Sequence, residues 1–188
     1  FVNRGPVRRP DGTAWELITR QSQPAAVSTD PAGRTIVLLS SMHFGCVPFI
    51  GFDGDGIPVF GPEESFLTAG GPVHGRTFAV PAPVDWDGDG DVDLIVGSET
   101  GHIELIENVG TSTNPQFAAP QPVLANGQPI RITPGPEGSV QGPQEAQWGY
   151  TNPTTGDWTG DGTTDLIVGT SLGRMFLYAN AGRDDNGM

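Results

Sequence analysis

The sequence predicts an all-β protein assembled from repeated units, on three observations. Gly (28) and Pro (18) make up about a quarter of the 188 residues, and they alternate with short Val, Ile, Leu and Phe runs, the punctuation of many short strands and turns. The segment Asp85-Trp-Asp-Gly-Asp-Gly-Asp-Val-Asp-Leu-Ile-Val-Gly97 returns seventy-two positions later as Asp157-Trp-Thr-Gly-Asp-Gly-Thr-Thr-Asp-Leu-Ile-Val-Gly169. Each copy is an acidic loop running straight into an apolar stretch that suits a buried strand.

The first loop reads as a calcium site. Ca2+ takes about six to eight hard oxygen ligands, and a loop with carboxylates at positions 1, 3 and 5, Gly at 6 and a carbonyl at 7 can wrap it. Those positions are Asp85, Asp87, Asp89, Gly90 and Asp91, with Asp93 at position 9. An EF-hand would continue through a helix to a Glu at position 12, whereas here Leu94-Ile95-Val96 begins a strand. The loop therefore caps a strand. Five aspartates in nine residues repel one another unless a cation is present.

Taken in chain order, the repeats divide the molecule. Residues 1–23 read as an outer strand of a split unit, because Phe1-Val-Asn3-Arg-Gly5 matches Ile106-Glu-Asn108-Val-Gly110 and Tyr178-Ala-Asn180-Ala-Gly182 at the end of a third strand. Residues 24–72 are a worn unit in which Thr35-Ile-Val-Leu-Leu39 takes the place of Asp93–Gly97 and only Asp30 survives of the acids. Residues 73–129 form the unit with the first acidic loop, in which Gly101 marks a tight turn and Ile103 and Leu105 alternate in strand period. Residues 130–147 are an inserted surface loop, and 148–188 are a second acidic-loop unit, incomplete, with Gly173, Met175 and Leu177 repeating the turn and the alternation.

The pattern Asp-x-Asp-x-Asp-Gly-x-x-Asp-Leu-Ile-Val-Gly, followed by Gly-x-Ile-x-Leu and Asn-x-Gly, resembles the FG-GAP/VCBS repeat. That family builds the β-propeller of integrin α-subunit heads, of certain fungal lectins, and of rhamnogalacturonan lyases and related bacterial polysaccharide-active proteins. The resemblance implies blades of four antiparallel strands, about three of them here, in a fragment of a larger propeller or a ring closed by a second copy. It places calcium ligands on Asp85, Asp87, Asp89, the Asp91 carbonyl and Asp93, and again on Asp157, Asp161, the Thr163 carbonyl and Asp165. Thr159 replaces the third-position carboxylate, so two Ca2+ sites are expected, the second weaker. It also implies a secreted or cell-surface location, where millimolar calcium suits such sites.

Charge and composition narrow the partners. The formal charge is −13, with nine Arg and no Lys, and eight of the 22 acidic residues lie in the two loops. Two calcium ions add four positive charges and leave −9, still repelling nucleic acid and anionic lipid. No apolar run is long enough for a membrane span. The single cysteine, Cys46, excludes an internal disulfide and reads as a small core residue.

Function reads in two classes. The first is a calcium-stabilised extracellular binding or scaffolding module for polysaccharide or a protein partner, with Trp148 and Tyr150 as the ligand candidates, and with self-association or a missing remainder of the propeller open. The second is part of a polysaccharide lyase-like enzyme. A lyase needs a base and a cation to neutralise a uronate carboxylate, for which His74 with Arg76, or a calcium ion, offer themselves, and no catalytic residue is assigned. His43 and His102 fall at non-equivalent places. Trp86 and Trp158, at the same loop position, read as packing between blades, and Asp53-Gly-Asp55-Gly as a turn.

Overall fold

The computed structural model describes residues 3–16, 23–30, 32–40, 44–72, 78–135 and 146–181. They are all-β, in antiparallel sheets that follow one another along the chain.

The first sheet runs β1 (Gln23–Thr29), β2 (Thr35–Ser40), β3 (Gly45–Phe52) and β4 (Pro58–Phe60), with β5 (Glu64–Ser65) beside β3. A short hairpin of β6 (Leu67–Thr68) and β7 (Gly71–Pro72) follows. The second sheet is β8 (Val80–Val84), β9 (Asp93–Gly97), β10 (Ile103–Ile106) and β11 (Gln121–Pro122), followed by the hairpin of β12 (Leu124–Ala125) and β13 (Gln128–Pro129). The third is β14 (Asn152–Gly156), β15 (Asp165–Gly169) and β16 (Met175–Tyr178). Each sheet is an up-and-down meander, the strand order of a propeller blade. The first strands also neighbour one another, since β8 lies against both β1 and β14.

Two cores hold the sheets side by side. Ile36, Leu38 and Cys46 of the first sheet meet Leu94, Val96 and Ile106 of the second, with Phe44, Phe66 and Phe117 packed as tilted rings through the seam at centroid distances of 5.1 and 4.9 Å. The opposite face of the second sheet, with Ile95 and Ile103, meets Leu166 and Val168 of the third. Strand β9 is buried throughout because both of its faces are covered, which is why Leu94-Ile95-Val96 is a continuous apolar run. Each fully buried aliphatic side chain of this kind contributes about 1.5–3 kcal/mol.

The second seam is also hydrogen-bonded. Buried Thr151, just before β14, accepts from the Ser98 N–H at 2.9 Å and donates toward the Ser98 and His102 carbonyls. Ile130 and Ile132, at the start of the segment read as an insertion, are buried in this core, and the Ile132 carbonyl sits where any side chain at Gly149 would stand. Near the amino terminus Arg8 bridges to Ala14 and, in parallel, to Val59 of β4. Residues 17–22, within or beside the stretch read as an outer strand, lie outside the described residues.

Candidate metal centre

The two acidic loops occupy the same place in successive sheets, each joining a first strand to a second. In the first loop Gly88 and Gly90 take left-handed φ values of 81° and 92°, and in the second Gly160 and Gly162 take 76° and 87°. Side chains disfavour that conformation, so the glycines let the backbone coil. The first aspartate caps each coil. Asp85 accepts from the Gly88 and Gly90 N–H groups at 2.9 and 3.1 Å, and Asp157 from those of Gly160 and Gly162 at 2.6 and 3.0 Å.

The ninth position anchors the coil. The Asp93 carboxylate, 1% exposed, accepts from the Trp86 and Asn108 N–H groups, both at 2.8 Å. Asp165, fully buried, accepts from Trp158, Thr159 and Asn180 at 2.8, 2.9 and 2.8 Å. Both aspartates thus tie the start of the loop to the exit of the third strand. Asn108 and Asn180 complete that tie, a role the sequence reading left unassigned. Their recurrence at seventy-two residues was the available signal.

The loops differ in what surrounds their oxygens. In the first, Asp85, Asp87 and Asp89 bring one carboxylate oxygen each to within 4.8 Å of the others, a grouping able to hold a metal ion. Beneath them Asp91 is 4% exposed, and neither of its carboxylate oxygens has a hydrogen-bond partner. Burial, together with the charges of Asp89, Asp93 and Asp87, pushes its carboxyl up to about 6. Asn108 lies close enough to oppose that shift slightly, but not in hydrogen-bonding geometry. Burial raises Asp93 as well. An ionised carboxylate buried without a partner costs about 1–3 kcal/mol or more, and a nearby divalent cation offsets that cost.

In the second loop the position of Asp91 is held by Thr163, whose hydroxyl donates to Asp161 at 2.6 Å and also lies 3.0 Å from the Asn180 carbonyl. No buried side-chain oxygen of this loop is left without a partner. The Asn180 N–H holds the Asp165 carboxyl below its usual range, and the Thr163 hydroxyl does the same for Asp161. Hard oxygen donors with a buried, unpartnered carboxylate fit a cation in the first loop. Two outer carboxylates and Thr159 make a thinner donor set in the second.

The remaining candidates are dispersed. Trp148, 40% exposed, meets Tyr150 edge-on at 6.2 Å, and Tyr150 in turn lies 6.1 Å from Phe78, at the seam between the second and third sheets. Trp86 packs on the second core as expected for its loop position. Trp158 departs from that expectation: it is 54% exposed and lies over Gly156, because no described sheet covers that side of the third one. Asp53 forms a turn, accepting from the Asp55 and Ile57 N–H groups, and Arg8 pairs with Asp53 at 3.4 Å. His43, His74 and Arg76 lie outside the described residues, and His102 Nδ1 is 3.0 Å from the Thr100 hydroxyl. No helix among the described residues is long and apolar enough to cross a membrane.

Comparison with known families matches residues 85–168, from the first acidic loop to the strand after the second, to the FG-GAP-like repeat. No curated protein and no solved structure matches the chain.

Proposed function

We propose, taking residues 85–168 as an FG-GAP-like repeat, that the chain is a calcium-stabilised, propeller-like module of a secreted or surface protein that binds or scaffolds a polysaccharide or protein partner. The observation that carries the calcium reading is the Asp91 carboxylate, buried and unpartnered beneath the Asp85, Asp87 and Asp89 cluster. Asp85, Asp87 and Asp89 would supply carboxylate oxygens to the ion, with the Asp91 carbonyl completing that side and Asp93 holding the coil closed. Asp157, Asp161, Asp165 and the Thr163 carbonyl would form a second, weaker site in which Thr159 stands for a carboxylate. When bound, the ion supplies positive charge that lets the acidic coil sit against a buried strand, so its role is structural.

A calcium-bound loop fixes where β9 begins, and β9 lies at the centre of both cores. The metal thereby stabilises the packing that presents the Trp148–Tyr150 edge, whose rings offer apolar faces to a sugar ring or a partner's side chain. The test is thermal: the melting temperature should fall on adding EDTA and recover with Ca2+, but recover poorly with Mg2+, which demands a tighter octahedral shell. An unchanged melt removes the calcium reading.

A further inference from the structure

Beside the first sheet, away from both acidic loops and from Trp148 and Tyr150, residues 9–16 and 61–63 enclose a cavity of about 400 Å3. That volume suits a small ligand. Hydrogen bonds fix both of its walls. One wall is a tight turn with Gly12 at φ 81°, in which the Gly12 N–H donates to the Arg9 carbonyl and the Arg9 N–H to the Thr13 carbonyl, both at 2.9 Å. Just before it, Arg8 is tied to β4 through the Pro58 carbonyl and the Phe60 N–H. In the other wall the Gly61 N–H donates to the Pro48 carbonyl of β3 at 2.8 Å. The Trp15 indole N–H joins the two, donating to the Gly61 carbonyl at 2.7 Å.

The lining sets carbon beside hydrogen-bonding groups. Pro10, Pro62 and Trp15 are its apolar part, and since the only polar atom of the indole is committed to Gly61, that ring has only carbon to offer. Arg9, Glu16 and Glu63 are its polar part. The Asp11 carboxylate is occupied by the Thr13 N–H and hydroxyl, at 2.9 and 2.6 Å. Arg9 donates to the Glu16 carbonyl at 2.9 Å, and its other N–H groups are donors as well. Among the described residues, neither the Arg9 guanidinium nor the Glu16 or Glu63 carboxylate belongs to an ion pair.

Donors and acceptors standing together beside an aromatic ring match a molecule that carries both kinds of group around an apolar face. A sugar ring does so, because each hydroxyl both donates and accepts while the C–H groups of one face lie flat on an aromatic ring. An anion is repelled by three lining carboxylates in a chain of net charge −13. An ammonium group leaves the guanidinium donors unmatched and sets like charge beside Arg9. We propose that this cavity binds neutral carbohydrate, with Trp15 against the apolar face of the sugar, Arg9 donating to its oxygens, and Glu16 and Glu63 accepting from its hydroxyls. The ligand class rests on the polysaccharide reading above, whereas the site is separate from the Trp148–Tyr150 edge.

The test takes the whole chain in millimolar Ca2+ over an array of neutral, uronate-containing and glucosamine-containing oligosaccharides, followed by calorimetric titration with the neutral oligosaccharide retained best. Neutral oligosaccharides should be retained. Arg9→Ala should raise Kd about tenfold or more, as loss of a charged hydrogen-bond donor does, Trp15→Ala at least as much, and Trp148→Ala should leave it unchanged. Arg9 is exposed, so its variant should keep the wild-type circular dichroism even if loss of the Trp15 tie disturbs the wall. Neutral binding that survives Arg9→Ala, or that falls as far with Trp148→Ala, overturns the proposed site and leaves the polysaccharide reading standing. Retention of charged oligosaccharides alone does the same. A folded chain that retains no oligosaccharide overturns both.

Discussion

The first and second acidic loops share a backbone and differ in how they handle charge. Both coil through two left-handed glycines, cap the coil with the first aspartate and anchor it with the ninth. In the first, the anchor and Asp91 are pushed toward protonation by burial and neighbouring acids. In the second, the anchor is held ionised by the N–H groups around it. The change from Asp91 to Thr163 separates them, because a hydroxyl is satisfied by Asp161 and Asn180 where a buried carboxylate is left alone. The first sheet shows a third solution. Asp30, in the turn between β1 and β2, receives the Arg34 guanidinium at 2.6 Å, a covalently attached cation. The same loop position thus meets its acids in different ways: a hydrogen-bond network in the second acidic loop and an arginine in the first sheet, while the first acidic loop leaves Asp91 without a hydrogen-bond partner.

The largest expected effect is on the first loop. At a free Ca2+ concentration about a hundredfold above Kd, binding adds about 2.7 kcal/mol, which for a chain of this size corresponds to a melting shift of about 5–10 °C. EDTA should remove it, and Asp89→Ala should abolish most of the difference, while Asp161→Ala leaves most of it in place. Equal sensitivity of the two variants would erase the distinction between the loops. Next comes Asp91→Thr, which gives the first loop the chemistry of the second. In EDTA it should melt higher than wild type by the equivalent of about 1–3 kcal/mol, the cost of the stranded carboxylate, and calcium should then raise its melting temperature less. A lower melt in EDTA means that Asp91 is already compensated.

The converse exchange is smaller. Thr159→Asp restores the third-position carboxylate and should tighten the weaker site about tenfold, about 1.4 kcal/mol by calorimetric titration with Ca2+. An unchanged isotherm would show that this position faces away from the ion. The smallest signal uses Cys46, buried in the core that contains Leu94 and Val96 of β9, with its thiol pushed up to about 12 chiefly by burial. Native protein should label slowly with a thiol reagent. Chelation should speed labelling through local opening near the first loop, and Asp161→Ala in the second loop should change it little.

The repeat, the strand that follows each loop and the acid spacing were legible from residue types alone, because hydrophobic runs and left-handed glycines leave patterns that survive without coordinates. The inward burial of the Asp91 side chain was not. At position 7 the sequence points to a backbone carbonyl, and only the packing of β9 against both neighbouring sheets reveals that the carboxylate is shut in. Asn108 and Asn180 repeat as visibly as the aspartates, but their role depends on the third strand ending beside Asp93 and Asp165. Ile130 and Ile132 read as the start of a surface loop, since their burial is supplied by a sheet that lies later in the chain.

By itself, then, the sequence determined the all-β class, the seventy-two-residue register and the oxygen-rich coils, since turn chemistry, strand period and ligand spacing are local properties. The tertiary structure decided which carboxylates are satisfied and which tryptophan is covered. Burial and hydrogen bonding belong to pairs of elements, and two loops of nearly identical sequence meet different neighbours.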